Sequence, residues 1–339
     1  MERKAIIKVR DLKKWFDLRE SFLEAIFSRE GRYLKAVDGI NFDIKEGEIF
    51  GLVGESGCGK TTTGRLLMNF IKPTSGKVYF EDIDLFAIKD KVELRNLSLK
   101  RQMIFQDPYE YLSPWLTVYE TLAEPLRIHS MVKDKDEELD RVVEIMEIVS
   151  LTPIKMLLPK YPYELSGGQR QRVVIARALL LNPIFMVADE PVSMIDVSLR
   201  LGILNLLLDL REKYSLTCLF ITHDIAVARY MSDSIGVMYL GKIVEKGPAE
   251  IIIKKPLHPY TQALISAVPV PDPKIKVRPP PIKGRIPTAT DLPTGCRFNP
   301  RCPYAKDLCR KKEPELLEVK KDHAIACHFV HEITIVYPK

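Results

Sequence analysis

Eight residues, Gly54-Glu55-Ser56-Gly57-Cys58-Gly59-Lys60-Thr61, match the pattern G-x-x-x-x-G-K-[ST], and they restrict the fold of this chain more than any other segment. A loop of this kind works only between a strand and a helix. The flanks supply both, since residues 48–53 form an apolar strand-like run and residues 60–70 follow with helical spacing. Its glycines let successive N–H groups turn inward as an anion nest, Lys60 can reach β- and γ-phosphates, and Thr61 offers a hydroxyl to Mg²⁺. Residues Gly54, Glu55, Ser56, Gly57, Cys58, Gly59, Lys60, Thr61 and Thr62 are therefore the candidate phosphate contacts.

The rest of the chain is read outward from this loop. Residues 6–16 and 40–44 read as strands, and the spacing of Phe22, Ile26 and Phe27 predicts a helical insert within 17–35. From about 85 to 165 the character shifts to charged, helix-period segments with few strand-like runs. Strand and helix then alternate again: helix at 169–181, buried strand at 184–188, helix at 197–214, strand at 217–222. This order predicts an α/β fold of the phosphate-loop type, with a largely parallel sheet covered on both faces and an inserted helical subdomain at about 85–168.

The apolar run Phe185-Met186-Val187-Ala188 ends in Asp189-Glu190. Two carboxylates at the end of a buried strand are costly unless they meet a cation or a reacting group. Asp189 suits Mg²⁺ through water, and Glu190 suits the base that polarises an attacking water.

Composition is that of an ordinary globular chain, with 46% hydrophobic residues and a formal charge of +6. No apolar run reaches the roughly 18 residues needed to span a bilayer, and the Met1-Glu2-Arg3-Lys4 start lacks the apolar core of a secretion signal, so a cytosolic location is expected. The charge excess lies beyond residue 271, where 14 Lys and Arg face 8 acidic residues. Nucleic acid, an anionic membrane face, an anionic cofactor or plain solvation would each account for it. Residues 256–293 hold ten prolines and predict a linker or extended wrap, and the segment beyond is too short to support its own hydrophobic core. Four of the six cysteines, Cys296, Cys302, Cys309 and Cys327, fall in that last segment.

Leu165-Ser166-Gly167-Gly168-Gln169 resembles the signature of ATP-binding cassette ATPases. Gln106 in Phe105-Gln106-Asp107-Pro108 resembles that family's Q-loop glutamine, and His223 in Ile221-Thr222-His223-Asp224 its switch histidine. The resemblance implies that Ser166, Gly168 and Gln169 meet ATP held by a second ATPase subunit, and that Gln106 senses Mg²⁺ and the attacking water. It also implies that His223 contacts the γ-phosphate, that Asp196 belongs to the D-loop, and that an aromatic near the N-terminus, Phe16 or next Trp15, stacks on adenine. One departure stands out: Ser193-Met194-Ile195-Asp196 occupies the place of the more usual Ser-Ala-Leu-Asp.

Lys35-Ala36-Val37-Asp38-Gly39, Tyr161-Pro162-Tyr163-Glu164 and Leu257-His258-Pro259-Tyr260-Thr261 narrow the resemblance to oligopeptide and dipeptide permease ATPases, and the insert before Lys35 with Cys58 in the loop resembles their F-type subunit. This implies a nucleotide-binding domain at 1–255, a Pro-rich linker at 256–294 and a Cys-rich module at 295–339. Implied partners are a D-type ATPase subunit in a heterodimer, two transmembrane permease subunits and an extracytoplasmic solute-binding protein, with no nucleic acid, at the cytoplasmic membrane face. The residues after Gln106, including Tyr109, Leu112, Ser113 and Pro114, would receive the permease, with Trp115 either part of that surface or simply packed. Peptide is the implied solute, with oligosaccharide import or a soluble ATPase acting on nucleic acid or ribosomes as alternatives.

The tail cysteines run C-x₅-C-x₆-C-x₁₇-C, without the close C-x₂₋₄-C pair of a zinc ribbon. Four thiolates in a small cytosolic segment fit a [4Fe–4S] cluster, and the subfamily resemblance implies the same; zinc, disulfides or free thiols remain alternatives. Arg297, Arg301 and Arg310 would offset the negative charge of such a cluster.

Overall fold

The computed structural model describes residues 3–18, 33–268 and 290–333, together with 282, 284, 287 and 288. Most of the segment with the helical insert predicted within 17–35, and residues 269–281 of the Pro-rich stretch, lie outside the described residues. The chain forms two compact units, one from Met1–Ala87 with Phe220–Lys339 and one from Ile88–Leu219.

The first unit contains two sheets. In one, Ala5–Asp17 pairs with Tyr33–Lys45 on one side and with Ser75–Phe80 on the other, all antiparallel, and Ile83–Asp84 closes the edge. Alternation sets the register: Ile7 opposes Ile44 and Val9 opposes Phe42, and all four side chains are buried. The strands of the other sheet that lie within this unit run in the order Leu317–Lys320, His323–Ile325, Lys242–Pro248, Ser234–Tyr239, Ile49–Val53, and of their pairings the last is parallel and the others are antiparallel. The sheet is thus mixed, where the alternation of strands and helices led to an expectation of mostly parallel pairing. Hairpin-linked strands from the last third of the chain make the difference, because short connections force antiparallel neighbours.

The second unit carries the helices Val118–Ile128, Lys135–Ile148, Gly167–Leu179 and Val197–Tyr214. The first of these starts at a reciprocal cap between Thr117 and Glu120. Arg127 and the Tyr119 hydroxyl both donate to the buried Glu138 carboxylate, tying this helix to the next. The stretch read as helical also holds a strand, Arg101–Ile104, in parallel register with Phe185–Asp189. Its polar start hid it. Arg101 is buried, donates to the Leu97 carbonyl at 3.2 Å, and burial pulls its pKa down to about 10. The chain returns to the first unit within the strand Thr217–Thr222.

Two expectations about the C-terminal third change. Residues 256–294 are not irregular throughout, since Pro259–Ser266 is a helix with Pro259 in its first turn, where a missing N–H costs nothing. Residues 295–333 do not stand apart as a module either. Phe298 is fully buried and packs edge-on against Tyr239 at 5.3 Å, and His323–Ile325 adds to the Lys242–Pro248 strand. The short segment therefore has a core, shared with the first unit. Among the described residues no helix is long and apolar enough to cross a membrane.

Candidate functional site

The phosphate loop leaves the strand Ile49–Val53, all five residues of which are buried, and enters the helix Lys60–Leu67. Gly59 makes the turn at φ +110°, and a Cβ there would lie 2.0 Å from the Ala36 carbonyl oxygen, so only glycine fits. Lys60 is buried, with Nζ donating to the carbonyls of Gly54 at 2.7 Å and Glu55 at 3.0 Å. Thr61 and Thr62 are half-buried at the helix start, while Ser56 and Gly57 are exposed. Cys58 points inward, and burial pushes its thiol pKa up, which keeps it protonated and unreactive. The loop has the N–H cradle, the ammonium and the hydroxyl that a magnesium-bound triphosphate requires.

Asp189 ends a wholly buried strand and is itself buried. Glu190 follows at φ +46°, a left-handed conformation uncommon for a non-glycine residue, and its carbonyl accepts from the Ser193 N–H and hydroxyl. That turn brings its carboxylate to Gln106, whose Nε2 donates to Glu190 Oε2 at 3.3 Å. Two residues 84 apart in sequence are thus brought together, one as an acid and one as an amide able to orient water.

The signature segment opens a helix, as its residues imply. Ser166 caps Gly167–Leu179: its hydroxyl accepts from Gln169 N–H at 3.3 Å, and Gln169 Oε1 accepts from Ser166 N–H at 3.0 Å. Ser166 stays exposed, whereas Gly168 is buried against Leu199, 3.4 Å from where a Cβ would sit. Arg170, which sequence reading passed over, donates twice to the Leu165 carbonyl and holds the turn in place. Past Asp196, which is exposed, Val197 and Leu199 are exposed too; Met194 is exposed and Ile195 is buried. His223 is exposed after the strand Thr217–Thr222, and Asp224 beside it caps the next helix, accepting from Ala226 N–H at 2.8 Å.

Near the N-terminus the Trp15 indole donates to Asp38 at 2.9 Å, while Phe16 is exposed with the Lys14 ammonium 5.0 Å from its ring centre. After Gln106 the expected docking residues divide: Leu112 is buried and offers no surface, whereas Trp115 is 84% exposed and so is not a packing residue.

The four tail cysteines converge. Cys296, Cys302, Cys309 and Cys327 line one cavity of about 20 Å³ with His258, Phe298 and Phe329, and none forms a disulfide. Gly295 permits this, with φ +72° and space for a Cβ denied by the Cys309 carbonyl at 2.4 Å. Burial pushes the Cys296 thiol up to about 12 and Cys302 up to about 11. Among the described residues no three Cys, His, Asp or Glu side chains come close enough to hold a metal ion. The arginines expected to offset cluster charge do other work. Arg297 bonds Asp38 and the Leu240 carbonyl, Arg301 bonds Glu55 in the phosphate loop, and Arg310 pairs with Asp307. Nothing in local sequence marks the Arg301–Glu55 contact, because 246 residues separate its ends.

A phosphate loop, a carboxylate pair at a strand end and a Ser-capped signature helix define a nucleotide-hydrolysing cassette. The comparisons agree: the ABC transporter family model matches residues 37–193, and that of the oligopeptide/dipeptide transporter C-terminal region matches residues 244–309. The oligopeptide transport ATP-binding protein AppF of Bacillus subtilis is 42% identical over 328 residues, which is 96% of this chain and 98% of AppF. Among solved structures, the dimeric, post-hydrolysis form of the cassette MJ0796 bound to ADP and Pi is similar at a TM-score of 0.62 and 30% identity, covering 72% of this chain and 98% of that one. CbiO1 of Clostridium perfringens, part of a transporter complex, is similar at 0.62 and 26% over 75% of this chain and 92% of its own. The chain belongs to the ATP-binding subunits of the oligopeptide/dipeptide ABC transporter family.

Proposed function

We propose that this chain hydrolyses ATP to energise a binding-protein-dependent importer of di- and oligopeptides. The observation that carries the reading is the Gln106–Glu190 contact at the end of a buried strand. Lys60 holds the β- and γ-phosphates, with Gly54, Glu55, Ser56, Gly57, Cys58, Gly59 and Thr62 around them. Thr61, Asp189 and Gln106 would hold Mg²⁺, directly or through water, and such an ion would supply positive charge against the phosphates. Glu190 polarises the attacking water, His223 senses the γ-phosphate, and Phe16, the more open of the two aromatics, stacks on adenine. Ser166, Gly168, Gln169 and Asp196 serve the nucleotide of a second, D-type subunit in a heterodimer. Two permease subunits and a solute-binding protein complete the assembly, with this chain peripheral on the cytoplasmic face.

The division into 1–255, 256–294 and 295–339 is retained as a functional one, although the last segment shares the first unit's core. We further propose that Cys296, Cys302, Cys309 and Cys327 hold a structural [4Fe–4S] cluster. What supports this reading is that four sulfurs line one cavity, the number of thiolates such a cluster takes. Iron analysis and visible absorbance of anaerobically purified protein test it, and protein with neither iron nor charge-transfer absorbance would exclude the cluster.

The transport reading is tested in proteoliposomes holding the full assembly with its binding protein. Peptide should stimulate phosphate release, and Glu190→Gln should abolish the stimulation. Stimulation by oligosaccharide alone would reassign the solute.

A further inference from the structure

The loop from Cys296 to Cys302 reaches back into the nucleotide-binding part of its own unit at two points. Arg301 makes a bidentate pair with the Glu55 carboxylate, at 2.8 and 3.0 Å, from a buried position with its guanidinium 5.7 Å from the Tyr239 ring and 5.8 Å from the Phe298 ring. Glu55 is held at its other end too, since its N–H donates to the Tyr260 hydroxyl at 2.9 Å. Arg297, also buried, bonds the Leu240 carbonyl and one oxygen of Asp38, whose other oxygen accepts the Trp15 indole at 2.9 Å. A single seven-residue loop thus grips both the second residue of the phosphate loop and the strand pair that carries the N-terminal aromatics.

Buried ion pairs are poor sources of net stability, because desolvation offsets most of the attraction. Their better-attested value is in fixing geometry. Hydrophobic packing by Phe298 already docks the segment, so anchoring alone does not require two arginines aimed at the nucleotide loops.

We infer that Arg301 and Arg297 are positioning residues for ATP: Arg301 sets the phosphate loop through Glu55, and Arg297 sets the adenine side through Asp38 and Trp15. Nucleotide affinity of the cassette therefore depends on the C-terminal segment. The inference rests on the phosphate-loop reading given above, and the test separates the two.

The measurement is binding of a fluorescent N-methylanthraniloyl ATP to the full chain, alongside Trp15 emission in a Trp115→Phe background, where Trp15 is the sole tryptophan. Arg301→Ala should weaken binding about tenfold, and Arg301→Lys, which keeps charge but loses the fork, about threefold. Arg297→Lys should shift Trp15 emission. In a Glu55→Gln background Arg301→Ala should have little further effect, because its route is gone. Unchanged affinity in Arg301→Ala, or the same loss with and without Glu55→Gln, would overturn the inference. If Arg301→Ala does not fold, Glu55→Gln and Arg301→Lys decide it alone, since both should weaken binding and neither doing so overturns it. Lys60→Ala is the reference: if it binds normally the phosphate-loop reading itself fails, and if it alone loses binding only the positioning role fails.

Discussion

Gln106 donates its side-chain amide to the Glu190 carboxylate across 3.3 Å, from a turn in which Glu190 takes a left-handed backbone conformation. A carboxylate held this way can accept a proton from water that the amide orients. Glu190→Gln is accordingly expected to lower ATP turnover of the assembled complex by about 10²- to 10⁴-fold, with ATP affinity unchanged. Single-turnover phosphate release and equilibrium binding, measured on the same preparation, check both halves. Turnover that persists would remove Glu190 from the role of base.

Ser166 has two duties that substitution can separate. As a cap it is worth about 1 kcal/mol, so Ser166→Ala should lower thermal stability by that much. As an exposed signature residue it should act on the other subunit's nucleotide, so Ser166→Arg should cut turnover of the complex while this chain alone still binds ATP normally. Isolated-subunit titration against complex turnover distinguishes the duties.

Burial lowers the His258 pKa to about 4 from an ordinary 6.5, despite the nearby Glu245. Between those values the unfolded chain holds a proton at this site that the folded chain lacks. Folding stability should therefore fall as pH drops through that window, by up to about 1.4 kcal/mol per pH unit. The ring nitrogen accepts the Tyr260 N–H at 3.1 Å as a helix cap, a role asparagine can fill without titrating. Urea unfolding across the window should show a flatter slope for His258→Asn than for the parent.

Phe298 joins the C-terminal segment to the Tyr239 and Tyr260 core of the first unit. Phe298→Ala should cost about 3–5 kcal/mol and expose the tail cysteines together. Thiol labelling under native conditions checks this, with simultaneous rise at Cys296, Cys302 and Cys309 expected. Stability loss without labelling would mean that the segment is held by its strand pairing alone.

Legibility in sequence tracked how local each feature is. The phosphate loop and the Ser166 cap depend on residues within a few positions of each other, so spacing and composition exposed them. The strand Arg101–Ile104 did not read as one, because a buried arginine satisfied by the Leu97 carbonyl breaks the apolar pattern. Leu112 is buried where a surface residue was expected, and Trp115, which the sequence left open between surface and packing, is exposed, since hydropathy alone does not tell which side of a turn is covered.

By itself the sequence determined the kind of nucleotide chemistry, since Lys60, Asp189, Glu190 and the signature each require neighbours of a given type at a given spacing. Tertiary structure alone decided what the tail arginines do. Read as companions of four cysteines, Arg297 and Arg301 instead cross to Asp38 and Glu55. A buried charge must find its counter-charge wherever folding brings one, and over 246 residues that partner is set by how the elements pack.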